Sequence, residues 1–233
     1  MKKIFLIILI TISIYAEGKP LYEIQNVSIN VASWIKTENK INFSYLEYET
    51  CSSFEYGESY FFIDLEKDSN ELRVASKFQL DIDIGTNWNI RVQDYLIYSK
   101  DFYNNNRVIG LSYQYAQNNF WITPFFGSHY QNSTYYSGFN GVMTGWTAQY
   151  SFTDKIKLFN WTEFELFRDK EHYQLDNGTL VGDGAENGIN GALSLTYQFS
   201  NKITGMVSYR YANNKLGEKG YIDAMIYSLK YSF

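Results

Sequence analysis

The sequence predicts an all-β protein: a transmembrane antiparallel β-barrel of 12 strands, with 10 as the alternative count. Three observations predict it. After a short charged and apolar leader, no stretch approaches the ~20 apolar residues that a spanning helix needs. Beyond residue 20 the chain breaks into segments of about ten residues that alternate in polarity between turn residues. The chain also ends on a two-faced strand, in which Met225, Tyr227, Leu229, Tyr231 and Phe233 alternate with Ser228, Lys230 and Ser232, and only Ile226 breaks the pattern.

The leader has the layout of a secretory signal peptide. Met1-Lys2-Lys3 is positive, and Ile4 to Tyr15 is apolar apart from Thr11 and Ser13. Ala16 is followed by polar Glu17-Gly18-Lys19-Pro20, so cleavage is expected after Ala16, although Ile14 is larger than the usual residue at that place. This divides the chain into a signal peptide, residues 1–16, and a barrel, residues 17–233. Cys51 is the only cysteine, which excludes a disulfide framework and a lipidated cleavage site. Closure supplies stability instead, because each backbone group pairs along a ladder with no free edge. With 22 Tyr, 17 Phe and 2 Pro the composition suits many strands, and a net charge of −5 disfavours nucleic acid as a partner.

In order, strands are expected at Ile24–Trp34, Ile41–Cys51, Ser59–Glu66, Leu72–Ile82, Asn89–Tyr98, Arg107–Tyr115, Phe120–His129, Gly141–Phe152, Ile156–Arg168, Ile189–Phe199, Lys202–Tyr211 and Tyr221–Phe233. Loop lengths should alternate, short on the periplasmic side and longer outside. Gln117-Asn118-Asn119, Thr153-Asp154-Lys155 and Ser200-Asn201 are tight. Ser99–Asn106, Tyr130–Asn140, Asp169–Gly188 and Asn213–Gly220 are expected to be the longer links. Lys67–Glu71 is tight on the outer side, which keeps the count of 10 open.

Alternation assigns each side chain a face. Val27, Ile29, Val31, Phe61, Ile63, Leu65, Val74, Phe78, Leu80, Ile109, Leu111, Tyr113, Trp146, Tyr150, Phe152, Leu193, Leu195, Tyr197 and Phe199 fall on the lipid side. The other parity holds Glu47, Glu49, Asp64, Glu66, Arg73, Lys77, Arg91, Glu163, Glu165, Arg210 and Lys230, and only Asp94 does not fit. The same inward parity includes Phe43, Tyr45, Tyr60, Phe62, Tyr95, Phe159, Trp161 and Phe167. Aromatics beside carboxylates could hold a solute with a flat face and hydroxyl groups, since ring stacking is worth ~1–3 kcal/mol per base and carboxylates accept from hydroxyls. The residue types equally allow rings that only fill space and charges that pair across the lumen.

Ser44-Tyr45-Leu46-Glu47-Tyr48-Glu49, followed by Phe54-Glu55-Tyr56-Gly57-Glu58-Ser59-Tyr60-Phe61-Phe62-Ile63-Asp64, resembles the early strands of the nucleoside-specific channel-forming (Tsx-like) family. Glu58 stands where that family usually has Asp. Lys77–Ile82, Phe159-Asn160-Trp161, the Gly- and Asn-rich loop before Ile189, and the Tyr231-Ser232-Phe233 ending are similar but less specific. The ending also resembles the closing strand of bacterial outer-membrane barrels, whose final Phe belongs to the assembly signal.

The resemblance implies a monomeric twelve-stranded barrel that passes nucleosides or other small polar solutes by diffusion. It nominates Tyr45, Glu47, Glu49, Phe62 and Asp64, and more weakly Phe159 and Trp161. Arg91, Glu163 and Arg210 join them as inward charges. No cofactor or metal is expected. The expected partners are the solute, outer-membrane lipid and, through the Phe233 strand, the barrel assembly machinery of a Gram-negative-type bacterium.

Rival readings are an acidic-oligosaccharide porin, a structural or adhesin barrel, and an enzyme. The first would favour a lumen lined with Arg and Lys, whereas the inward carboxylates here at least match the bases. The second finds its feature in the loop Asp169–Gly188. The third has only His129 and His172 to use, and Ser128 beside His129 should point to the opposite face.

Overall fold

A computed structural model of the chain describes residues 20–35, 42–68, 71–134, 136–169, 173–174, 180–181, 184–217 and 219–233. The proposed signal peptide, His172 and most of the loop after residue 169 lie outside the described residues. The strands are β1 (Tyr22–Trp34), β2 (Phe43–Phe54), β3 (Gly57–Asp68), β4 (Glu71–Gly85), β5 (Trp88–Tyr98), β6 (Tyr103–Tyr113), β7 (Tyr115–Gln117), β8 (Phe120–Ser133), β9 (Ser137–Ser151), β10 (Ile156–Leu166), β11 (Tyr173–Gln174), β12 (Leu180–Val181), β13 (Gly188–Gln198), β14 (Ile203–Asn213) and β15 (Tyr221–Ser232). β7 continues β6, because both pair with β8, and β11–β12 is a separate small hairpin. Each remaining strand pairs antiparallel with its neighbours, and β1 pairs with β15 from Asn26–Ser232 to Trp34–Ala224. The result is a closed barrel of 12 staves, which settles the count against 10. Among the described residues no helix is long and apolar enough to cross a membrane.

Burial is inverted relative to a water-soluble domain. Large apolar side chains such as Ile29 (58% exposed) and Leu229 (57%) face outward, while Ser28, Asn30, Arg91 and His129 are buried inside. Leu80 keeps its outward parity but is covered by its neighbours. At the end that carries the chain termini, three strands finish on the same edge-on pair of rings: Tyr150–Phe152, Tyr197–Phe199 and Tyr231–Phe233, with centroids 5.0, 5.0 and 5.5 Å apart. Such amphipathic rings form a girdle where lipid tails meet water.

The turns at the terminal end are tight for identifiable reasons. Thr86 and Asn87, between β4 and β5, both have positive φ, the geometry that matches the twist of a two-residue hairpin. Gly57 opens β3 with φ +141, and a Cβ there would collide with the Asp81 carbonyl of β4. The aromatic–Gly–acidic turn of the sequence is thus a site of close backbone approach.

At the opposite end the links are shorter than expected. β6 begins at Tyr103, β8 runs on to Ser133 and β9 starts at Ser137, so the links are residues 99–102 and 134–136 rather than Ser99–Asn106 and Tyr130–Asn140. The tight link before Glu71 is real, since β3 ends at Asp68. The long links of this end are residues 35–42, 167–187 and 214–220. Asp94 also finds its place. It lies on the outer face, where Arg107 donates to it at 2.9 Å and Asn105 at 2.5 Å, so the exception to the parity is a compensated charge.

Candidate functional site

Cross-strand partners share a face, so the register carries the inward assignment from strand to strand. Glu49 pairs with Phe62, Glu47 with Asp64 and Tyr45 with Glu66; Phe62 then pairs with Lys77, and Lys77 with Tyr95. One contact proves the direction. Lys77 of β4 donates to Glu163 of β10 at 2.8 Å, although the two strands lie on opposite sides of the ring. They can meet only through the interior.

The wall from β4 to β10 is packed. Arg91 donates to both oxygens of Asp81 at 2.8 Å, Ser112 donates to Asp81 at 2.6 Å, and the guanidinium lies 4.8 Å over the Phe125 ring. Farther along, His129 Nε2 bonds Asn106 at 3.0 Å, and Gln131 and Asn106 both donate to Asn104. Asn140 and Arg168 donate to Gln131 at 2.6 and 3.2 Å, and Arg168 pairs with Glu165 at 3.0 Å. Val108, Phe125 and Met143 pack between these polar groups. Buried polar groups are tolerated when they are hydrogen-bonded, and here they tie together six staves, from β4 to β10. Ser128 is exposed while His129 is buried, so the two are not a dyad.

The wall formed by β1, β2, β3 and β15 is looser. Glu49 is held by Lys230 and accepts from Asn26 at 2.8 Å, and Ser28 reaches Glu47 at 3.3 Å. Glu47 and Asp64 face each other across the ladder, and neither has a basic partner among the described residues. Phe43 and Tyr45 lie 5.7 Å apart, and Tyr60 and Phe62 6.1 Å. Glu66 pairs with Arg73 at 2.5 Å.

Between the walls the lumen is bridged. Gln93 joins Lys77 on Glu163 at 3.0 Å. The Arg210 guanidinium lies 4.4 Å over Trp161, and the Lys77 ammonium is 5.9 Å from the same ring. Lys215 and Leu216, beyond β14, turn inward. Leu216 donates its N–H to both Glu165 oxygens, at 2.9 and 3.2 Å, and Lys215 lies 5.4 Å over the Tyr95 ring. Lys215 is in the loop rather than a stave; burial and the nearby Arg210 push its pKa down to about 8.

Of the residues nominated from sequence, Tyr45, Glu47, Glu49, Phe62 and Asp64 come together on β2–β3, and Trp161, Glu163 and Arg210 meet at the bridge. Phe159 stands beside Trp121, with ring centroids 6.1 Å apart. Arg91 lies apart from both groups, its charge closed against Asp81. Phe167 is not an inward ring: it lies past the end of β10 with φ +60 and is 67% exposed. Lys215 and Leu216 escaped the sequence reading, because alternation assigns no face to a loop residue.

A family model described as Nucleoside-specific channel-forming protein, Tsx, matches residues 24–233. Among solved structures, the NanC porin superposes with a TM-score of 0.59 at 9% identity, covering 89% of this chain and 100% of that one. The KdgM porin in complex with disordered oligogalacturonate gives 0.54 at 8% identity, with 89% and 99% covered. An outer membrane channel from Pseudomonas putida F1 gives 0.50 at 6%, with 93% and 97% covered. At these identities the likeness is one of fold.

Proposed function

The chain belongs to the nucleoside-specific channel-forming family, and on that premise we propose that it is a monomeric channel of a Gram-negative-type outer membrane through which nucleosides and similar small solutes diffuse passively. The observation that carries the reading is the pairing of rings with uncompensated carboxylates on one wall of a bridged lumen. Tyr45 and Phe62 offer flat faces beside Glu47, which accepts from Ser28 at 3.3 Å, and its cross-strand neighbour Asp64, carboxyl groups with capacity left to accept from sugar hydroxyls. A narrow passage with several weak contacts selects without trapping, which is what throughput requires. In this reading residues 1–16 are removed on export, the chain termini face the periplasm, and β15 with Phe233 engages the barrel assembly machinery.

Planar-bilayer recording of the refolded protein tests it. Small-channel current should fall on adding adenosine or thymidine and stay unchanged with glucose or galacturonate. Absence of any conductance would end the transport reading.

A further inference from the structure

The charges of the lumen mostly cancel in pairs: Arg73 with Glu66, Lys77 with Glu163, Arg91 with Asp81, Arg168 with Glu165 and Lys230 with Glu49. Two cations at the bridge are left over. Arg210 spends one nitrogen, Nη1, on the Gly191 carbonyl at 2.7 Å and the Tyr211 carbonyl at 3.4 Å. Its Nε and Nη2 donate to no acceptor among the described residues, although a guanidinium has five N–H groups to place. Lys215 lies over the face of Tyr95, with Glu163 and Glu165 close enough to act on its charge but no ion pair or hydrogen bond to its ammonium among the described residues.

The backbone is built to keep Lys215 there. Asn214 and Leu216, on either side of it, both sit in the left-handed region with φ 53 and 54, which asparagine tolerates and leucine rarely adopts. Glu165, itself tied to Arg168, holds the Leu216 N–H and so offsets that strain. A strained turn held by a buried carboxylate aims a second cation at the side of the lumen where Arg210 already lies on Trp161. Like charges brought together in a buried place, with donors unspent and aromatic faces beneath, suit an anion that also carries a ring.

We propose that Arg210 and Lys215 form an anion subsite at the bridge, which takes the phosphate of a nucleoside monophosphate while its base and sugar lie toward the rings and carboxylates of β2–β3. This rests on the channel reading above and narrows it, assigning the carboxylate wall to the sugar hydroxyls and the cation pair to a charged head. The subsite separates ring-bearing phosphates from uncharged nucleosides by affinity.

The test compares current block of the full refolded channel by adenosine, adenosine monophosphate, inorganic phosphate and galacturonate. The monophosphate should block at a concentration at least tenfold below that of adenosine, and inorganic phosphate should compete with it. In the R210Q/K215Q variant the ratio of the two blocking concentrations should fall toward one. K215Q alone changes only a loop residue and should lower the ratio part of the way, which covers the case in which loss of Arg210 prevents folding. The reversal potential in a KCl gradient should move toward cation selectivity in each variant that inserts. Block by adenosine with none or no better by the monophosphate overturns the subsite and leaves the nucleoside reading standing. Block by the monophosphate alone supports the subsite and removes the uncharged nucleoside as the solute. Equal block by galacturonate and the monophosphate overturns the assignment to a ring-bearing phosphate.

Discussion

The two walls of the lumen use the same residue types to opposite ends. From β4 to β10, Asp, Asn, Gln, His, Arg and Glu are buried and bond mostly to one another. On β2 and β3, Glu47 and Asp64 stay partly accessible, with half-exposed rings beside them. A satisfied polar network resists change, because removing one member strands the rest in a place water does not reach. A wall with spare acceptors contributes little rigidity and keeps its groups available for a passing solute. The contrast teaches that inward facing alone does not make a residue functional; the state of its partners does.

The largest effect is expected in the packed wall. Asp81→Ala leaves the Arg91 guanidinium buried beside Phe125 without its countercharge, and breaking one side of such a pair costs about 3–5 kcal/mol. Urea unfolding followed by intrinsic fluorescence should show that loss, and a change below about 1 kcal/mol would mean that the wall is not held by the pair.

A smaller effect sharpens the comparison on the open side. Phe62→Ala should weaken nucleoside block by about 1–3 kcal/mol, the worth of one stacked base. Trp161→Ala should weaken it less, because Arg210 already covers its ring. Equal losses would show that the guanidinium gives way to the solute.

The smallest effect is one of pH. Arg210 from β14, Glu163 and Glu165 from β10, Arg73 from β4 and Tyr95 from β5 surround Lys215, whose ammonium is charged below about pH 8 and neutral above it. An unfolded lysine keeps its proton to about pH 10.4, so between the two values the unfolded chain binds the extra proton and folding stability rises with pH. Over the same window the lumen loses a cation. Reversal potentials recorded from about pH 7 to about 9.5 should therefore drift toward cation selectivity, and K215Q should abolish the drift.

Much of this was legible in the sequence, because period-2 alternation in a barrel is a direct statement of facing. Each of the eleven expected inward charges, from Glu47 to Lys230, stands on the lumen side of the register. The strand ends were less legible for a chemical reason. Tyr103-Asn104-Asn105-Asn106 and Gln131-Asn132-Ser133 have the composition of turns. In a wet barrel, however, Asn104, Asn106 and Gln131 are wall residues whose amides bond one another, and Asn105 serves Asp94 outside. Pairing was illegible too. Arg91 and Arg210 look alike in sequence, and only the neighbours of each show that one is closed against a carboxylate and the other is not.

The seam between β1 and β15 has a consequence for the order of assembly. Ser232 donates to Asn26 across 206 residues of chain, and Lys230 reaches Glu49 across 181. Contacts so distant in sequence carry a large loop-closure cost and form after the local hairpins that bring their ends together. Until β15 docks, β1 remains an open edge able to pair with any other strand it meets. β15 thus decides whether a meander of hairpins becomes a pore or an aggregate.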